Sequence, residues 1–364
     1  MMTKRERVMR AVRFEETDRV PLYDILQNDA IIEYYAGRKL TYEDGAWITG
    51  VAVGHALDMT RMVGGPQRPG ETVHDDGIHW RQERWTGWIV ERPFKDVASL
   101  IPWVKERIRA ANAQQFDRHH AEAFWQQIDR HRAAFAEGDP TGRNDPAVFV
   151  VESGVGLEWM YWAAGMGLFT ELMIEYPGLI DEWLEALSQA ELRRAAAIAN
   201  PHYIPIALTY TDIAHKTGTM FSPEWLRENW VPRLKRLNDA WHERDTVCLF
   251  HSDGNLWGVL DDLVEAGIDG LNPLETLAGM GVKEVRDRYP QLFLAGGIDV
   301  SHLLTLGTPG EVRAVCRQAI EDTGGRGFLM GSSTEIHWDV PLENATAMFE
   351  TAWESGSDLQ RQKP

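Results

Sequence analysis

The sequence predicts an α/β protein, a TIM (β/α)8 barrel with an N-terminal insertion. Three observations carry this: short apolar runs that end in polar residues, helix-length segments between them, and no glycine-rich phosphate loop. The pattern is plainest between residues 246 and 299. Thr246 to Phe250 is β-branched and apolar and ends in His251, Ser252, Asp253 and Gly254. Gly267 to Leu271 ends in Asn272, Pro273, Leu274 and Glu275, and Leu292 to Ala295 ends in Gly296, Gly297, Ile298 and Asp299. Strands separated by helices run parallel, so their polar ends collect at one edge, where chemistry is built in such folds.

Residues 3 to 14 read as a helix with Val8, Met9, Val12 and Phe14 on one face, broken by Asp18, Arg19, Val20 and Pro21. Val20 to Ile25 is the first expected strand. From about residue 40 to 145 the order is punctuated by Gly64, Gly65 and Pro66, then by Pro69 and Gly70. Within that stretch His79 to Val90 alternates like an antiparallel hairpin, and Ile101 to Phe135 reads as helical. We therefore expect a helical and hairpin excursion inside one domain spanning residues 1–364. Val148 to Val151 is a strand closed by Glu152, and helices follow from about Leu157 to Gly165, Gly167 to Tyr176 and Pro177 to Ile198. Ile204 to Leu208 is tipped by Tyr210, Thr211 and Asp212. Ser222 and Pro223 supply an N-cap and a first helical residue. Gly327 to Met330 is the last strand, followed by Gly331, Ser332, Ser333, Thr334 and Glu335. Seven strands are visible and an eighth is expected in the N-terminal third. A doubly wound sheet, the rival, calls for a Gly-x-Gly-x-x-Gly or Walker loop, and its absence also argues against NAD or ATP.

Composition narrows the function. A formal net charge of −18 is the wrong sign for a nucleic acid or an anionic membrane surface, and 44% hydrophobic residues are enough for a sizeable core. Cys248 and Cys316 are the only cysteines, each inside an apolar or helical run, which predicts a reducing, cytoplasmic setting without disulfides. No apolar run approaches about 18 residues, so no membrane span is expected. The fifteen tryptophans cluster at Trp80, Trp85 and Trp88 and again at Trp159 and Trp162. Core or interface packing, including a homodimer contact around residues 80–88, is the plainer expectation, with ring stacking on a ligand as the alternative.

In a barrel, Glu152, Asp212, His251, Asp253, Glu275 and Asp299 point into one mouth. Five carboxylates around one imidazole repel one another unless a metal, a cationic substrate or protons arrive. Some of them can instead cap helices, and Asp299, just before Val300 and Ser301, is as readily a cap as a ligand. The tight His251-x-Asp253 turn points to acid/base work or to a divalent metal held by one nitrogen and one oxygen. No second histidine or thiolate completes a zinc motif.

The order of short motifs adds a resemblance. Asp212 to Gly218, Phe221 to Glu224, Pro232 to Lys235, His251 to Gly254, Leu263 to Asp269, Asn272 with Pro273, Gly296 to Asp299 and Pro341 to Asn344 together resemble the uroporphyrinogen decarboxylase superfamily. Arg5 to Val8 and Asp18 to Pro21 fit its opening. The resemblance implies a TIM barrel and either a decarboxylase or a methyltransferase serving corrinoid proteins and thiols. True uroporphyrinogen decarboxylases place arginines after the first strand. Here Tyr23 to Asp29 is acidic, with no arginine until Arg38, which disfavours a substrate rich in carboxylates. The zinc methyltransferase branch carries His-x-Cys and a later Cys, for which this chain has Asp253 and Thr334, so a metal here would be harder and oxygen-ligated. The expectation is a demethylase moving a methyl group from a small methoxylated or N-methylated compound to a corrinoid protein. His251, Asp253 and Asp212 would be catalytic, and Glu152, Glu275, Asn272, Asp299 and Thr334 would line the substrate. A divalent metal such as zinc would sit on His251 and Asp253, and the corrinoid on a separate partner, since no Asp-x-His-x-x-Gly signature is present. The alternative is a decarboxylase of uroporphyrinogen III, giving coproporphyrinogen III, or of another acid.

Overall fold

Six strands of a computed structural model, which describes residues 2–361, form one parallel sheet. They are Val151–Ser153, Ile206–Tyr210, Val247–His251, Gly270–Asn272, Phe293–Ile298 and Phe328–Ser332, adjacent in that order. Two short segments close the sheet on itself. Leu22 bridges Met330 in parallel, Tyr23 bridges Met59, and Met59–Thr60 pairs with Val148–Phe149, which leads through Val150 into Val151–Ser153. The result is an eight-stranded TIM barrel. The eighth strand is Met59–Thr60, too short to be read from periodicity, and the first is reduced to bridges at Leu22, Tyr23 and Leu26.

Side-chain parity explains the core. Alternate residues of a strand face opposite sides, so Leu208, Leu249, Val150, Met59, Phe293 and Leu329 fill the barrel interior, with Val8, Ala11 and Val12 of the first helix among them. Their neighbours Ala207, Cys248, Phe250, Leu271 and Leu294 pack outward with the surrounding helices. The helix Lys4–Val12 thus plugs the end of the barrel where the strands begin.

Between Thr60 and Val148 the chain makes a three-stranded antiparallel sheet, Gly70–Val73, His79–Gln82 and Gly87–Glu91, then two helices, Val97–Ala113 and Arg118–Glu137. The expected hairpin is present with one strand more. The helical run expected from Ile101 to Phe135 is divided because Asp117 starts a new helix through a capping box with His120. Later helices follow their signals. Ser222 accepts from the Trp225 N–H, and Pro309–Thr323 opens on a Thr308–Glu311 capping box and ends at Gly324 in the left-handed region. Both cysteines are buried and free. Among the described residues no helix is long and apolar enough to cross a membrane.

One buried carboxylate ties the thin side of the barrel. Asp58 precedes the two-residue strand and is fully buried. It accepts from Arg7 Nη1 at 2.8 Å, from Arg19 Nη1 and Nη2 at 2.7 and 2.9 Å, and from the Leu22 N–H at 2.8 Å. Burial alone would raise its pKa, but Arg19 and Arg7 outweigh it and hold it below the ordinary 3.8. A depressed pKa adds stability that is present above the unfolded value and is lost as pH falls through the folded one. Asp58→Asn leaves two guanidiniums short of a counter-charge and should cost about 3–5 kcal/mol at neutral pH. Urea unfolding should show that gap narrowing below about pH 4, and a gap independent of pH would contradict this account.

Candidate functional site

The parity that buries Leu249 turns His251 into the mouth of the barrel, and the same rule places Tyr210 two residues beyond Leu208, Glu152 beyond Val150 and Arg61 beyond Met59. All four stand at the carboxyl ends of their strands. His251 is 2% exposed and Asn272 3%. Nδ1 of His251 lies 2.6 Å from Asn272 Oδ1, and Asn272 Nδ2 donates to the Ala295 carbonyl at 2.9 Å. Because the amide nitrogen is committed to a carbonyl, its oxygen must accept, so Nδ1 carries the hydrogen and Nε2 holds a free lone pair. Burial, followed by the nearby Arg61 charge, pushes the imidazole pKa down to about 3, against a smaller upward pull from Asn272. The ring is therefore neutral at pH 7.

Nε2 faces Asp212 Oδ1 across 3.8 Å. Asp212 also accepts from the Asp253 N–H at 2.9 Å, and ligand atoms of Asp212, His251 and Asp253 all lie within 4.8 Å of one another. Oδ1 of Asp253 is buried without a hydrogen-bond partner. Burial, then Asp212, Glu275 and Glu335, raise the Asp253 pKa to about 8, with Arg61 opposing. Burial likewise raises Asp212. Lone pair and carboxylate oxygens thus converge on a small space that needs a proton or a cation to be stable.

The remaining expected residues divide. Glu275 accepts from the Gly254 N–H at 2.8 Å, which ties it to the same turn. Glu152 accepts from Arg61 Nη1 at 2.6 Å. Asn272 is occupied with His251. Asp299 caps the turn that follows it, taking the His302 and Leu303 N–H groups at 2.8 and 2.7 Å, and Thr334 donates to Glu335 at 2.7 Å.

Several site residues escaped the sequence. Arg61 is the important one, because the mouth was expected to be acidic without a cation. It follows the unread two-residue strand with its side chain mostly buried, and although burial lowers its pKa, Tyr23, Glu152 and Glu335 together outweigh that and hold it above the usual guanidinium range. Glu158 accepts from the Tyr210 hydroxyl at 2.6 Å and from the Asp212 N–H at 3.1 Å, and the Tyr161 hydroxyl donates to the Asp212 carbonyl at 2.9 Å. Both come from the helix Leu157–Ala164, one turn apart on its inward side. Asp24, buried within the first strand, accepts from the Ser332 N–H and hydroxyl at 2.8 Å each, and burial raises it to about 7. A second cluster, His242, Cys248 and Asp269, lies at the opposite end, where Asp269 binds His242 at 2.8 Å and the Cys248 N–H at 2.7 Å.

A divalent ion fits the donor set in the mouth: one neutral imidazole nitrogen with an immobilised ring, and two carboxylates of which one has an oxygen without a partner. Residues 161–355, more than half of the chain, match the family model described as uroporphyrinogen decarboxylase (URO-D). No curated protein matches the chain by sequence. Among solved structures, a methyltransferase from Methanosarcina mazei is similar, with a TM-score of 0.68 at 17% identity over 97% of this chain and 99% of that one. A B12-independent methionine synthase from Shewanella sp. W3-18-1, in complex with selenomethionine, aligns at a TM-score of 0.42 and 11% identity, over 94% and 98% of the two chains. The family match and the closed eight-stranded barrel agree with each other: this chain belongs to the uroporphyrinogen decarboxylase family.

Proposed function

We propose that this protein is a methyltransferase that removes a methyl group from a small methoxylated or N-methylated compound and passes it to a corrinoid carried by a separate protein. The observation that supports it most is the free Nε2 of His251 facing Asp212 and the partnerless oxygen of Asp253. Breaking a CH3–O or CH3–N bond needs an acid at the departing heteroatom, and this mouth concentrates acids. The corrinoid, when its partner delivers it, supplies the methyl acceptor. This chain's own work is then to bind the donor, exclude water and protonate the departing atom. Asp253 is the proton donor in this reading, since burial beside Asp212 and Glu275 keeps its carboxyl protonated near neutral pH. The proton passes to the oxygen or nitrogen as its bond to carbon breaks, and solvent restores it afterwards. Asp212 is held by the Asp253 N–H and orients the donor, while Glu158 fixes Tyr210 and the Asp212 backbone. A divalent ion, if used, would be held by His251 Nε2, Asp212 and Asp253 and would supply Lewis-acid activation of the leaving group. The Methanosarcina methyltransferase shares the fold, which supports the scaffold and leaves the substrate open.

One observation favours a second reading. Arg61 places a buried guanidinium in the mouth, which is what a carboxylic acid needs for binding, and the protein would then be a carboxy-lyase acting on uroporphyrinogen III or another acid.

The deciding assay offers the purified protein reduced free cobalamin with methoxylated aromatics or methylated amines and follows the cobalamin spectrum, in parallel with carbon dioxide release from carboxylic acids. Methyl transfer is expected, and carbon dioxide release without it would replace the proposal with the lyase. Asp253→Asn should lower kcat by about 10²–10⁴-fold. Metal analysis of wild type beside His251→Ala provides a further check: a stoichiometric divalent ion lost in the variant is expected, and no ion in either sample would leave acid catalysis alone. Asn272→Leu, which frees the His251 ring, should weaken that ion's binding about 10–100-fold in a chelator competition, and unchanged affinity would deny the amide its orienting role.

A further inference from the structure

Outside the mouth, the tryptophans near residue 85 open onto a groove of about 690 Å³, a volume suited to a small molecule. Its indoles come from Trp85 and Trp88 on the antiparallel sheet and its turn, and from Trp338 in the loop after the last barrel strand. Asn28 and Asp29, after the first strand, complete the wall, so the groove lies on the rim where the strands end. Trp88 is 40% exposed and Trp338 49%, a large apolar area left in water.

The walls are held in place without a ligand. Asp29 binds Arg84 through both oxygens, at 2.6 to 3.0 Å, and accepts from Trp85 Nε1 at 2.8 Å. Asn28 Nδ2 donates to the His337 and Val340 carbonyls at 3.0 and 2.9 Å, which fixes the loop bearing Trp338. The turn from Glu83 to Thr86 closes on itself through a 2.7 Å backbone bond. Exposed indoles on a fixed frame lose little entropy on binding a ring.

Charge selects the ring. Asp29 and Arg84 cancel each other. The Glu83 carboxylate makes no hydrogen bond or ion pair among the described residues, which leaves the walls net negative. Indole faces attract cations for the same electrostatic reason. We infer that this groove is a binding site for a planar aromatic cation, held between indoles and balanced by Glu83. The inference is independent of the methyl-transfer reading, because it is read by binding without turnover.

Equilibrium dialysis with N-methylquinolinium, quinoline and 2-naphthoate, similar bicyclic rings differing in charge, tests it on the full chain. N-methylquinolinium should bind saturably and at least about tenfold more tightly than 2-naphthoate. Trp88→Ala with Trp338→Ala should abolish that binding while circular dichroism stays unchanged, Trp338→Phe should keep most of it, and Glu83→Gln should narrow the gap between the cation and quinoline without closing it. Three results would overturn the proposal: no saturable binding, binding that survives the double variant and so lies in the mouth, or a dimer in sedimentation that the double variant dissociates.

Discussion

Closure of the barrel rests on Asp58. A strand of two residues cannot hold its place by backbone pairing alone, since Met59 and Thr60 offer few ladder bonds to either neighbour. Asp58 compensates by binding two arginines and the Leu22 N–H, which joins the plugging helix, the first strand and the second at one buried point. The position of Arg61 in the mouth follows from that anchor, three residues further along the same segment. A charge at the closed end of the barrel thus settles where a charge stands at the open end.

What the sequence made legible follows strand length. Thr246 to Phe250 is long and apolar enough to declare its period, and from that period His251 and Asp253 can be placed at a strand end without any coordinates. Asp212 and Glu275 follow in the same way. Arg61 could not be placed, because the strand before it leaves no periodic trace and its partner Glu152 stands 91 positions later. Glu158 and Tyr161 were hidden for a different reason: they sit on a helix, and nothing in an amphipathic pattern tells which turn bends back over a strand end. Asp299 carried two readings in the sequence, and its two backbone bonds put its carboxylate on the following turn.

The site also separates two kinds of histidine environment. His242 meets Asp269 on an accessible surface and has its pKa raised by that hydrogen bond, so it gains a proton readily. His251 is buried, its hydrogen is fixed toward Asn272, and it stays neutral while the Asp253 carboxyl beside it is pushed up to about 8. Ordinary base and acid strengths are thereby inverted in the mouth, which is the condition under which a carboxyl group can donate and an imidazole can ligate at the same pH.

The barrel is uneven around its circumference. Two strands of five residues carry His251 and, two residues before Asp212, Tyr210, whereas Arg61 and Glu152 stand on the side built from segments of two and three. Fewer shared backbone bonds mean a lower free energy of local opening, so exchange of amide hydrogens should begin on that thin arc. The cation of the mouth therefore rides on the arc expected to open first, and the nitrogen and oxygen donors on the longer strands. Their mutual distance can vary without disturbing the donors' own geometry.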